Sequence, residues 1–223
     1  MKREKSKKQN KFLKALSGVV FVLFVAICGT LIYFNVTHEY FIVYGPSMTP
    51  TLNKGILDEE GTIDSVFVSK VKQFTRGDII VANRNYGIEG ESAKYVIKRV
   101  IALEGDKLKI DIVDGNYRII LIKNGEEKQE ILEEPYLDNY SINSSIKSGF
   151  DFLIQEYSIV LDENGFYEIP EQSVFYMGDN RRNSKDCLTY GAKNINAVVG
   201  KVDYIIYGGE NPYGQVIQQF FGW

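Results

Sequence analysis

Histidine occurs once in these 223 residues, at position 38, and cysteine twice, at positions 28 and 187. No cluster of His and Cys has the spacing of metal ligands, so neither a metal nor another cofactor is implied. Cys28 lies inside an apolar run and Cys187 far along the chain, which excludes a disulfide framework and leaves folding to a hydrophobic core. Cys187 as a thiol nucleophile would need an imidazole to form its thiolate, and His38 stands at the edge of the apolar run. A catalytic serine faces the same shortage, so its base would be a lysine. No repeat has solenoid or propeller spacing.

Charge is also missing from one stretch. Ala15 to Val36 carries no formal charge over 22 residues, against the roughly 20 that a bilayer core demands. Lys2, Arg3, Lys5, Lys7, Lys8, Lys11 and Lys14 precede it against Glu4 alone, a bias that predicts a cytoplasmic tail over 1–14 and a transmembrane helix over 15–36. A cleavable signal has a shorter apolar region, about 7–15 residues, and no A-x-A-like site follows Val36. The expectation is an uncleaved single-pass anchor in the cell membrane, with residues 37–223 on the extracytoplasmic face. Beyond Lys14 remain 19 basic and 28 acidic residues, a formal charge of −9 that argues against nucleic acid as a partner. Only the basic tail suits anionic lipid.

The external part is rich in Tyr, Ile, Val and Phe with a period of two, which predicts a mostly β fold. Expected strands are Phe41–Tyr44, Asp78–Ala82, Tyr95–Ile101, Lys107–Val113, Arg118–Lys123, Phe152–Leu161, Ser173–Met177 and Ala197–Tyr207. Asp114-Gly115, Asn124-Gly125 and Asn164-Gly165 favour hairpins between them. No long amphipathic helix interrupts the pattern. The more acidic, irregular stretch from about 108 to 172 suggests a smaller inserted subdomain.

In Tyr95-Val96-Ile97-Lys98-Arg99-Val100-Ile101, alternation sets Lys98 on one face with Val96 and Val100, and Arg99 on the other. Burial would lower the lysine pKa from ~10.4 toward the range of a general base. From this strand alone, an edge lysine that snorkels to water remains the competing reading.

The motifs around it resemble the type I signal peptidases, membrane-bound serine proteases that cleave signal peptides from exported proteins. Gly45-Pro46-Ser47-Met48-Thr49-Pro50-Thr51-Leu52 is similar to their nucleophile box, Arg76-Gly77-Asp78-Ile79-Ile80-Val81 to the next, and Tyr95–Asp106 to the lysine box. Gly178-Asp179-Asn180-Arg181 with Ser184, Asp186 and Gly191 is similar to the last. The resemblance implies a signal-peptidase-type β-sheet catalytic domain with Ser47 as nucleophile, Lys98 as general base and Ser184 orienting Lys98. It further implies support from Gly178, Asp179, Asn180, Arg181 and Asp186, and substrate contacts from Met48, Pro50 and Val96. The implied substrates are exported preproteins with small residues at the first and third positions before the cut, met close to the secretion translocon and the lipid surface. Cys187-Leu188 stands where the family commonly has Ser-Arg, so no salt bridge from Asp186 to that arginine can form. Ala102 and Glu104 replace the usual Gly and Pro. Gly45 replaces the serine that some members use as an oxyanion donor, leaving that task to the backbone N–H of Ser47.

Other readings are weaker. Arg76-Gly77-Asp78 as an adhesion motif is explained by a turn before a strand. Glu59-Glu60 and Glu133-Glu134 as glycosidase carboxylates are adjacent residues facing opposite ways, and are expected to be solvated. Val216, Ile217, Phe220, Phe221 and Trp223 suit either the lipid interface or the domain surface. Two functional alternatives remain: a self-cleaving repressor-type Ser/Lys protease, and a signal-peptidase-like factor that binds surface proteins during assembly without cleaving them.

Overall fold

The structure, a computed structural model, describes residues 2–53, 63–70, 73–137 and 146–208. It divides into two compact units, one ending at Glu39 and one beginning at Tyr40. In the first, the helix α1 (Lys2–Thr37) continues through the basic tail as well as the apolar run. Its part from Lys11 to Thr37, 27 residues whose most apolar 18-residue stretch has a mean hydropathy of 2.6, is long and apolar enough to cross a bilayer. At 1.5 Å per residue it reaches about 40 Å, more than a hydrocarbon core of ~30 Å. Ser17, Thr30 and Thr37 donate their hydroxyls to Lys14, Ala26 and Tyr33 carbonyls of the same helix, so these polar groups are satisfied without outside partners. His38 stacks on Phe34 with ring centres 4.2 Å apart, and its Nδ1 lies 2.9 Å from Thr37 Oγ1.

The second unit is mostly β. Its strands are β1 (His38–Ile42, whose first two residues belong to the first unit), β2 (Ser65–Ser69), β3 (Ile79–Asn83), β4 (Tyr95–Leu103), β5 (Lys107–Val113), β6 (Asn116–Ile122), β7 (Gln129–Ile131), β8 (Tyr167–Glu168), β9 (Ser173–Met177), β10 (Lys193–Asn194) and β11 (Val198–Ile206). Seven form one sheet in the order β1-β2-β11-β3-β4-β9-β10, antiparallel from β2 onward, and β7-β6-β5-β8 form a second. Asp114-Gly115 closes the β5–β6 hairpin as a two-residue turn between paired Val113 and Asn116. Both turn residues have positive φ, 52° and 75°, which the mirror-image turn requires.

The large sheet buries both faces. On one, Ile80, Ala82 and Val100 join Leu108, Ile119, Leu121 and Phe175, so the second sheet shares a continuous core with the first. On the other, Ile79 and Val81 pack with Val43, Met48, Leu52, Val66 and Val68. Each Val, Leu, Ile, Phe or Met side chain among them contributes about 1.5–3 kcal/mol when fully buried.

One expected strand is overturned. Phe152–Leu161 is not extended; a helix occupies Ile146–Glu156. Ile146, Phe150 and Leu153 recur at helical spacing and are its buried residues, so the period there is 3.6 rather than two. β2 was not anticipated, although its central Val66 and Val68 are fully buried.

Candidate active site

Ser47 sits on the turn that follows β1. Met48 and Leu52, 1% and 0% exposed, peg this segment into the core, and Leu52 N–H donates to Met48 O at 2.9 Å. Asn53 closes the segment: its amide donates to Val43 O at 2.8 Å and Gly45 O at 3.1 Å, while its Oδ1 accepts from Asp64 N–H at 2.8 Å. The serine is therefore held by packing on one side and by a side-chain clasp on the other.

Lys98 arrives from the middle of β4, paired across the ladder with Ile80 and on the same face as Val96. It is only 3% exposed, and its Nζ lies 2.7 Å from Ser47 Oγ and 2.7 Å from Ile97 O. No carboxylate of the described residues forms an ion pair with it. Burial lowers its pKa from 10.5 to about 8, against the opposing pull of Asp186, Asp179 and the Cys187 thiol. A serine hydroxyl in contact with a buried amine that titrates near neutrality can be deprotonated as it attacks a carbonyl.

Gly178, Asp179, Asn180 and Arg181 form the wall behind the serine. Asn180 N–H donates to Ser47 O at 3.1 Å, and its side-chain amide to Thr49 Oγ1 at 2.9 Å. A Cβ on Gly178 would stand 2.4 Å from Ser47 O and 2.3 Å from Ser184 Oγ, so the close approach requires glycine. Asp179 takes a bidentate pair from Arg99, 2.9 Å from Nε and 2.6 Å from the second nitrogen, and accepts from Thr51. Arg181 donates Nε to Gly178 O at 3.0 Å and pairs with Glu134. Asp186 caps the short Cys187–Tyr190 helix through Leu188 N–H at 3.1 Å and accepts Gly178 N–H at 2.9 Å. Burial raises its carboxyl pKa, opposed by those donors, the nearby Ser184 hydroxyl and the Lys98 cation.

Several placements differ from expectation. Ser184 Oγ is buried and close to Gly178, yet it meets hydrogen-bond geometry with no group among the described residues; the expected bond to Lys98 is not formed, and Lys98 is oriented by Ser47 and Ile97 O. Glu134 is not solvated: it is 8% exposed and ion-paired with Arg181, while Glu133 is exposed as expected and Glu59-Glu60 lie outside the described residues. Leu188, standing where an arginine was anticipated, is buried against the Ile146–Glu156 helix, its Cδ1 3.2 Å from the Cβ position of Gly149. The apolar residue is matched by an apolar partner. Arg76 pairs bidentately with Asp106, so the Arg-Gly-Asp triplet is a turn entering β3.

Beside the pair opens a cleft of about 150 Å³ between Phe41–Tyr44 and Tyr95–Lys98, with Ser47 and Val81 in its wall. Val96 lines it; Met48 faces the core, and neither Met48 nor Pro50 is among the described residues of the lining. The C-terminal aromatic segment lies outside the described residues. Sequence reasoning missed Glu134, Tyr136 and the Arg99–Asp179 pair. Only the buried alternation of β4 hinted that Arg99 needs a partner on the opposite face.

The family described as "Signal peptidase, peptidase S26" matches residues 15–207. Signal peptidase I S of Bacillus subtilis (strain 168) is 31% identical over 208 residues, covering 93% of this chain and 95% of that one. Signal peptidase I of Bacillus caldolyticus is 32% identical over 199 residues, 88% and 92% of the two chains. A crystal structure of a signal peptidase I from Enterococcus faecalis V583 aligns with a TM-score of 0.39 at 23% identity, over 58% of this chain and 96% of that one. With a family match over most of its length and relatives above 30% identity, this chain belongs to the signal peptidases of family S26.

Proposed function

We propose that this protein is a membrane-anchored serine endopeptidase that removes signal peptides from exported preproteins, with Ser47 as nucleophile and Lys98 as general base. The observation that carries it is the 2.7 Å approach of a buried Lys98 Nζ to Ser47 Oγ. Neutral Lys98 takes the hydroxyl proton while Ser47 Oγ bonds to the scissile carbonyl carbon. The Ser47 backbone N–H, engaged in no hydrogen bond among the described residues, is available to the oxyanion. Collapse of the tetrahedral intermediate breaks the C–N bond, and the Lys98 ammonium returns its proton to the leaving amine. Water, deprotonated by the same lysine, then hydrolyses the ester.

The cleft between β1 and the start of β4 suits an extended peptide alongside exposed strand edges. Its 150 Å³ favours small side chains near the cut. The apolar helix would hold this machinery at the lipid surface. Seven basic residues before it favour a cytoplasmic N-terminus and an extracytoplasmic domain, close to where preproteins leave the translocon.

The test is cleavage of a preprotein by the full-length enzyme in detergent. Release of the mature N-terminus by the wild type, and none by Ser47→Ala, is expected. Binding of the preprotein without cleavage would favour an assembly factor.

A further inference from the structure

The segment that follows β7 reaches into the wall behind Ser47. Leu132 N–H donates to Ile119 O at 2.9 Å, which ties the segment to the second sheet. From there Glu134 meets Arg181, with side chains 3% and 1% exposed. Both guanidinium ends are engaged, one at 3.3 Å from Glu134 Oε2 and the other on Oε1, and Tyr136 donates its hydroxyl to Oε1 at 2.8 Å. The ring of the same tyrosine lies 3.8 Å under the Arg99 guanidinium.

Burial of two charges is costly, and a pair this enclosed is weak evidence for stability in itself. What it fixes is geometry. Arg181 Nε is aimed at Gly178 O, and the turn between these residues carries the Asn180 N–H that holds Ser47 O. With leucine at 188, Asp186 accepts from the Gly178 and Leu188 backbone, and no arginine ion pair holds it at the far end of this loop among the described residues. We propose that Glu134 is a positioning residue for the peptidase reaction: through Arg181 it locks the Gly178–Arg181 turn, and through Asn180 it fixes where Ser47 stands relative to Lys98. The inserted second sheet thereby becomes part of the active site's support. The inference rests on the functional reading above.

Glu134→Gln removes the charge but not the shape. It should lower kcat by roughly 10–100-fold, the cost of a small misplacement of reacting groups, with KM changed little. A paired variant, Glu134→Met with Arg181→Met, separates positioning from stability. Replacing both buried charges by apolar groups should restore the melting temperature toward wild type, yet kcat should stay low because the Nε bond to Gly178 O is gone. Recovery of kcat together with melting temperature would overturn the proposal. Hydrogen exchange of the full-length protein reads the turn without any substrate. In Glu134→Gln, a peptide spanning Gly178–Ser184 should exchange faster while β3 and β4 stay protected, and unchanged exchange there would overturn the anchoring role. A wild type that cleaves no preprotein would sink the functional reading alone, and the exchange comparison would still decide the anchoring role.

Discussion

The two sides of β4 treat a buried cation in opposite ways. Arg99, 9% exposed, is given everything a charge requires: a bidentate carboxylate in Asp179, the Gly77 carbonyl at 2.7 Å and the Tyr136 ring. Lys98, one residue earlier and 3% exposed, is given a hydroxyl and a carbonyl. Arginine does not deprotonate in proteins, so burying it obliges the fold to pair it. Lysine can shed its proton, and on that side the fold withholds a partner and lets the pKa fall to about 8. The paired cation braces the site, and the unpaired one can do chemistry.

Exchanging the two behaviours should have the largest effect. Lys98→Arg keeps the positive charge but cannot accept the Ser47 proton, so preprotein cleavage should fall by ~10⁴-fold or more; substantial cleavage would remove Lys98 from the mechanism. On the other side, Arg99→Met leaves Asp179 buried and without its partner, which should cost about 3–5 kcal/mol in denaturant unfolding. A loss below about 1 kcal/mol would mean that the pair braces nothing.

The smallest effect has the opposite sign. Folded Lys98 releases its proton near pH 8, whereas the unfolded chain keeps it to about 10.5. Across that window the unfolded state binds more protons, so wild-type stability rises with pH. Below it the buried ammonium costs up to about 3 kcal/mol, from the size of the shift. Lys98→Met should therefore be more stable than wild type at pH 7, by about 1–3 kcal/mol, with the gap closing as pH approaches 10.5. A variant less stable than wild type at pH 7 would show that the charged amine is well accommodated after all.

The alternation of β4 was legible because strand periodicity is local: Tyr95 to Leu103 alone assigns Lys98 and Arg99 to different faces. The β5–β6 hairpin was legible for the same reason, through Asp114-Gly115. What pairs with each face was not. Asp179 is 80 residues from Arg99, and Glu134 is 47 from Arg181. No local pattern marks an acidic residue as destined for burial, so Glu134 beside Glu133 reads as solvated. The Ile146–Glu156 helix was misread because Phe152-Leu153-Ile154 is a short continuous apolar run, which periodicity alone assigns neither to a buried strand nor to a helix once the window leaves out Ile146 and Phe150. Leu188 looked like a lost arginine for a related reason, since its partner Gly149 belongs to that helix.

The most direct test is the pH dependence of kcat/KM for preprotein cleavage by the full-length enzyme, which reports the ionisation of the free enzyme's base. With Lys98 titrating near 8, about a tenth of the enzyme holds a neutral amine at pH 7. The rate should climb tenfold per pH unit below that point, bend near pH 8 and level off above it. A flat profile between pH 6 and 10, or a bend near 10.5, would contradict the claim that a buried, unpaired Lys98 is the base.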